Sequence, residues 1–162
     1  MPRPTPTDAA EPYHKYMNLA QGNSVAEVIA NHSEDLKQFY NGLPESKADY
    51  AYADGKWTIK EVLQHVIDAE RVFAYRALRF SRKDATPLPS FDENNYTKYS
   101  NAAQRTLQSL KDEFNALRTS TDIMLSSLTD EQVNETGVAS NKSITVNAWL
   151  LLSTVIYSIT KK

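Results

Sequence analysis

The chain of 162 residues has no cysteine, only four glycines and only three histidines. Each scarcity removes a class of chemistry. Without thiols there is no disulfide, no thiolate nucleophile and no thiolate-ligated zinc. The few glycines form no phosphate-cradling loop, and no His-Glu-x-x-His pair is present. No histidine follows Asn101, and none is placed by the sequence beside a candidate serine. A net charge of -2 offers no general attraction to nucleic acid or to an anionic membrane. The opening Met-Pro-Arg-Pro-Thr-Pro lacks the apolar centre of a signal peptide. The uncharged stretch Val146 to Ile159 falls short of the ~20 residues that span a hydrocarbon core as a helix, so it reads as a buried bundle helix. A cytoplasmic home is the default expectation.

What the chain does have is 41% apolar and 23% charged residues at the size of one domain. Four prolines in residues 1–12 predict a flexible tail, leaving residues 13–162 as a single domain. After a short element around Tyr13 to Leu19, Ser24 and Glu27 have capping-box spacing. From there Val25, Val28, Ile29, His32, Leu36, Phe39 and Leu43 recur at three- and four-residue steps, a helix with one buried stripe. Thr58 with Glu61 forms a second capping-box pattern, and Trp57 with Val62 has the spacing of a hydrophobic staple. The helix that follows runs through about Phe80. Residues 82–96 read as a long loop, a candidate lid or interface. A third helix is expected from near Lys98 to Ser127, with Thr129 and Gln132 capping a brief turn after it. A polar linker over 134–143 leads into a last helix starting near Ser143 or Thr145. No alternating strand pattern appears. Four apolar stripes that must bury one another predict an all-α fold, an antiparallel four-helix bundle of the up-and-down type.

The second long helix carries the chemistry. His65 lies one turn from both Glu61 and Asp68. Histidine and a carboxylate could hold zinc, nickel or a similar divalent ion and activate water, if further ligands came from elsewhere. The alternative is a packed, hydrogen-bonded imidazole. Asp68 and Glu70 are the candidate catalytic carboxylates, orienting a ligand or moving a proton. Arg76 and Arg79 could hold an anionic substrate through their planar donors or bind the 82–96 loop, or simply belong to a solvated, ion-paired surface. His32, on the apolar side of its helix, suits a core or pocket role better than ligation.

The run Trp57-Thr58-Ile59-Lys60-Glu61-Val62-Leu63-Gln64-His65-Val66-Ile67-Asp68-Ala69-Glu70-Arg71 and its continuation to Arg79 resembles the DinB-like superfamily, which includes the YfiT-type proteins. The likeness extends through Pro87-Leu88-Pro89-Ser90-Phe91-Asp92-Glu93-Asn94, Phe114 to Arg118, Ser127 to Glu131 and Ile144 to Ala148. It implies a four-helix bundle, commonly a homodimer. In metal-binding members it also implies a divalent ion held by a histidine at the position of His65 and two from the last helix. The activities it implies are metal-dependent transfer or hydrolysis. The closing histidines should fall within about Ser153 to Thr160, where this chain has Ser153-Thr154-Val155-Ile156-Tyr157-Ser158-Ile159-Thr160. The metal triad is therefore incomplete. Either the chain is a metal-free variant, its apolar Val155, Ile156 and Ile159 packing dry, or its C-terminus has been altered. A noncatalytic bundle that binds a small molecule or a partner protein is the alternative function.

Overall fold

A computed structural model describes residues 3–159, with side chains through Thr154. The expected packing of Val155, Ile156 and Ile159 lies outside the described residues. Four long helices carry the fold: α2 (Val25–Asn41), α3 (Ile59–Ser81), α5 (Leu107–Ser126) and α7 (Val146–Ile159). Shorter helices α1 (His14–Met17), α4 (Glu93–Tyr99) and α6 (Asp130–Asn134) fill the connections. Helix starts follow the local chemistry. The Thr58 hydroxyl accepts from the Glu61 amide while the Glu61 carboxylate takes the Thr58 amide, and Thr129 and Gln132 do the same.

The four-helix bundle is what forms. Helices α2 and α3 each pack on both α5 and α7, so the ring order is α2–α5–α3–α7. One direction departs from strict alternation. Leu63 at the start of α3 and Leu107 at the start of α5 share one apolar cluster, while Phe80 and Leu125 near their ends share the other. These two helices therefore run the same way, and residues 82–106 carry the chain back along the bundle.

The two apolar clusters are separated by a polar layer. Ser33 on α2 donates to Asp122 at 2.8 Å, and Arg118 on α5 reaches Asp122 at 2.9 Å and Glu70 on α3 at 3.3 Å. Glu70 and Arg118 are each only 1% exposed. Along α2, α3 and α5 this layer falls between residues of one cluster and residues of the other.

Three stretches differ from the sequence reading. The expected third helix is divided: α4 ends at Tyr99, Asn101 adopts a left-handed backbone (φ 61°), and α5 starts afresh behind its Thr106 cap. The polar linker is a hairpin, β1 (Thr136–Ala139) paired antiparallel with β2 (Lys142–Thr145). Ser140 and Asn141 both turn with positive φ, which suits a two-residue hairpin but is unusual for serine. Leu88 bridges to β1 and Ala9 to β2, so the 82–96 loop is tied to the hairpin. The segment read as a flexible tail also has fixed contacts. Arg3 donates to the carbonyls of Met17, Ala20 and Gly22, and Ala9 is buried.

Candidate functional site

His65 sits on α3 against Trp57, ring centroids 5.0 Å apart, which is how the residue before the Thr58 cap positions the imidazole. Its Nδ1 is buried without a hydrogen-bond partner. Burial pulls the imidazole below the ordinary histidine value, with Glu93 and then Asp68 pulling the other way. The ring is therefore held toward its neutral form. Asp68 is half-buried and accepts from Gln64 at 3.0 Å. Burial raises its carboxyl, partly offset by that hydrogen bond and by Arg71.

This donor set does not fit a metal centre. Among the described residues no three histidine, cysteine, aspartate or glutamate side chains are grouped to hold an ion. From Thr136 onward the sequence has none of these residues at all, so α7 brings no conventional ligand toward His65. An unpartnered Nδ1 with two nearby carboxylates leaves the expected triad unfilled.

Further along α3 lies a cleft of about 190 Å³ between α3, α7, the hairpin turn and the 82–96 segment. Phe73, Phe91, Trp149 and Leu152 supply apolar wall. Tyr13, Arg76, Ser90, Glu93, Ser140 and Ser153 supply polar groups. Trp149 is fixed from two sides: its indole N–H donates to the Phe73 carbonyl at 2.9 Å, and its ring meets the Phe73 ring nearly edge-on at 4.9 Å. Glu93 belongs to the cleft lining and also acts electrostatically on His65. A larger, more open depression is lined by Glu61, Thr97, Lys98 and Gln104 among others, and neither of its charged groups is buried.

Arg76 is the unusual group. It is 4% exposed; its Nη2 donates to Pro89 O at 2.6 Å, with Ser140 Oγ at 3.5 Å. Its guanidinium carbon is 5.3 Å from the centre of the Trp149 ring. The other buried cations among the described residues have more electronegative company. Lys60 pairs with Asp49 and Arg118 with Glu70 and Asp122. Lys111 donates to the carbonyls of Asn41 and Leu43, where the end of α2 is negative. Among the described residues no carboxylate lies within ion-pair distance of Arg76. Burial draws its guanidinium below the ordinary value, opposed by Tyr13, and arginine nevertheless stays charged.

The remaining expected site residues are placed elsewhere. Glu70 lies in the polar layer, not in the cleft, and burial raises its carboxyl despite the opposing pull of Arg118. Arg79 binds Asp84 and the Tyr75 hydroxyl on the outer side of α3. His32, midway along α2, accepts from the Gln21 amide at 3.2 Å. Of the expected site residues the cleft lining thus includes Arg76, but not His65, Asp68, Glu70, Arg79 or His32. Sequence reasoning missed Tyr13, Glu93, Trp149 and the hairpin serine. One signal was present for Arg76: it falls on the stripe Phe73, Ala77, Phe80, where a cation is out of place.

Comparison with known proteins bears on this geometry. The model of the DinB superfamily matches residues 8–155. YfiT from Bacillus subtilis, a structure described as a probable metal-dependent hydrolase with an unusual four-helix bundle topology, superposes with a TM-score of 0.69. It is 19% identical, over 97% of this chain and 86% of that one. A mycothiol-dependent maleylpyruvate isomerase superposes with a TM-score of 0.70 at 9% identity, over 83% of this chain and 57% of that one. At these identities the likeness is one of fold. No curated protein matches the sequence.

Proposed function

The chain belongs to the DinB superfamily, and we propose that it is a small-molecule-binding member whose cleft works without the family's metal triad. The observation that carries this reading is Arg76, a buried cation without an acidic partner on the wall of an aromatic cleft. Leaving such a charge unpaired is costly unless something outside the described residues offsets it. A bound ligand would do so. Homodimer formation and a cytoplasmic location are part of the same proposal. Among the described residues no helix is long and apolar enough to cross a membrane.

A second reading is favoured by His65. Its neutral-leaning ring and free Nδ1, with Glu93 acting on it electrostatically, suit proton transfer to or from a small molecule, with Asp68 as orienting carboxylate. This is the surviving form of the transferase or hydrolase expectation, and it uses no metal.

Both readings are tested by metal analysis and ligand screening of untagged protein beside His65→Ala. The expected outcome is sub-stoichiometric zinc and nickel in both proteins, no change in melting temperature with chelator, and ligand-induced stabilisation of both. Stoichiometric metal in the parent that is lost in His65→Ala refutes the metal-independent reading.

A further inference from the structure

We infer that the cleft selects amphiphilic monoanions: small molecules with one carboxylate, an apolar body and no second negative charge at the far end. The inference rests on the small-molecule reading above and specifies its ligand.

Three features define the selection. Arg76 supplies the anchor. Nη2 is engaged by Pro89 O and lies at the limit of hydrogen-bonding distance from Ser140 Oγ, while Nε and Nη1 have no protein partner among the described residues. A planar guanidinium with donors to spare matches a carboxylate edge. Tyr13 adds a phenol to the same lining, and burial keeps that hydroxyl protonated by raising it. Phe73, Phe91 and Trp149 provide flat apolar wall for the body of the ligand. The volume is right for a single substituted ring: about 150 Å³ suffices for benzene in an apolar protein cavity, against about 190 Å³ here.

Glu93 sets the limit on charge. It lines the same cleft, carries a carboxylate, and has no cation within ion-pair distance among the described residues. Glu93 is itself exposed, so a ligand with a second anionic group toward it would meet like charge at the solvent-facing part of the lining. Lys142 lies over the Tyr13 ring at 5.3 Å and is not part of the lining, in which Arg76 is the one cation among the described residues. One anchoring arginine facing one glutamate therefore favours a monoanion over a dianion or a phosphate ester.

The test uses three probes on one skeleton: 3-phenylpropanoate, its neutral amide, and 4-(2-carboxyethyl)benzoate, which adds a distal carboxylate. Binding is read from the Trp149 indole N–H resonance, with Trp57 as the only other tryptophan and an internal control. The monoacid is expected to bind at least tenfold more tightly than the amide or the diacid. Arg76→Met should abolish the preference of acid over amide, and Arg76→Lys should keep only part of it. Glu93→Gln should bring the diacid to within a few fold of the monoacid. Retained melting transitions show that each variant is folded. If amide and monoacid bind equally to the parent protein, the monoanion inference fails while the small-molecule reading stands. If the diacid matches the monoacid and Glu93→Gln changes nothing, the role of Glu93 is refuted. If no probe moves the Trp149 signal, both the inference and the cleft reading fall.

Discussion

Glu70→Ala separates a structural carboxylate from a catalytic one. In the parent protein Glu70 and Arg118 are each 1% exposed and 3.3 Å apart, and Arg118 keeps a second carboxylate in Asp122 at 2.9 Å. Removing one partner of a buried pair costs roughly 3–5 kcal/mol, and the surviving Asp122 contact places this case at the lower end, about 3 kcal/mol. For a domain of this size that lowers the melting temperature by about 6–12 °C. Replacing both partners, Glu70→Leu with Arg118→Met, should recover most of the loss, since neither charge then has to be desolvated. The pH dependence has a definite sign. Burial raises the Glu70 carboxyl above its ordinary value, so the native state holds that proton more tightly than the unfolded chain. Its contribution is full below the unfolded value and is lost as pH rises through the folded one. Glu70→Gln removes this slope, so its stability relative to the parent should improve from acid toward neutral pH. Urea titrations at several pH values measure all three variants. A Glu70→Ala protein within about 0.5 kcal/mol of the parent, the range of ordinary surface substitutions, refutes the structural role of the polar layer.

Two further outcomes follow from packing and burial. Gly137 faces Phe80 so closely that a Cβ there would lie 2.0 Å from Phe80 Cδ1, and Phe80 is fully buried. Gly137→Ala should therefore destabilise by about 1–3 kcal/mol through overpacking, with a smaller cost when combined with Phe80→Leu; chemical denaturation of the three variants checks the coupling. For His65, burial lowers the imidazole, so the unfolded chain takes up its proton first on acidification. Stability gained from a neutral His65 is present above the ordinary histidine value and declines as pH falls through that value toward the folded one. The charges of Glu93 and Asp68 limit the shift. An NMR titration showing a His65 midpoint above that of a free histidine would contradict this sign.

Much of this molecule is written in short-range patterns. Apolar spacing marks α2 and α3, and the Thr58–Glu61 and Thr129–Gln132 boxes mark helix starts, because caps and stripes depend on residues within one or two turns. The incomplete metal set is equally one-dimensional, since no arrangement of the chain can create imidazoles that α7 lacks. The break between α4 and α5 is local too, but Ser100-Asn101 is a weaker stop than glycine or proline and the apolar spacing nearly continues across it.

Tertiary structure decided the rest. The hairpin has strands of only four residues, a turn without glycine, and a bridge to Leu88 far back in the chain. Nothing within ten residues announces it. The parallel course of α3 and α5 depends on where residues 82–106 travel, and the polar layer depends on Ser33, Glu70 and Arg118 arriving at one level from three helices. The same holds for function. Sequence could nominate Arg76 and Glu70 alike, but only packing put one beside Trp149 in a cleft and the other against Arg118 in the core. The physical reason is that a side chain's chemistry is set by its desolvation and its neighbours, and both come from parts of the chain distant in sequence.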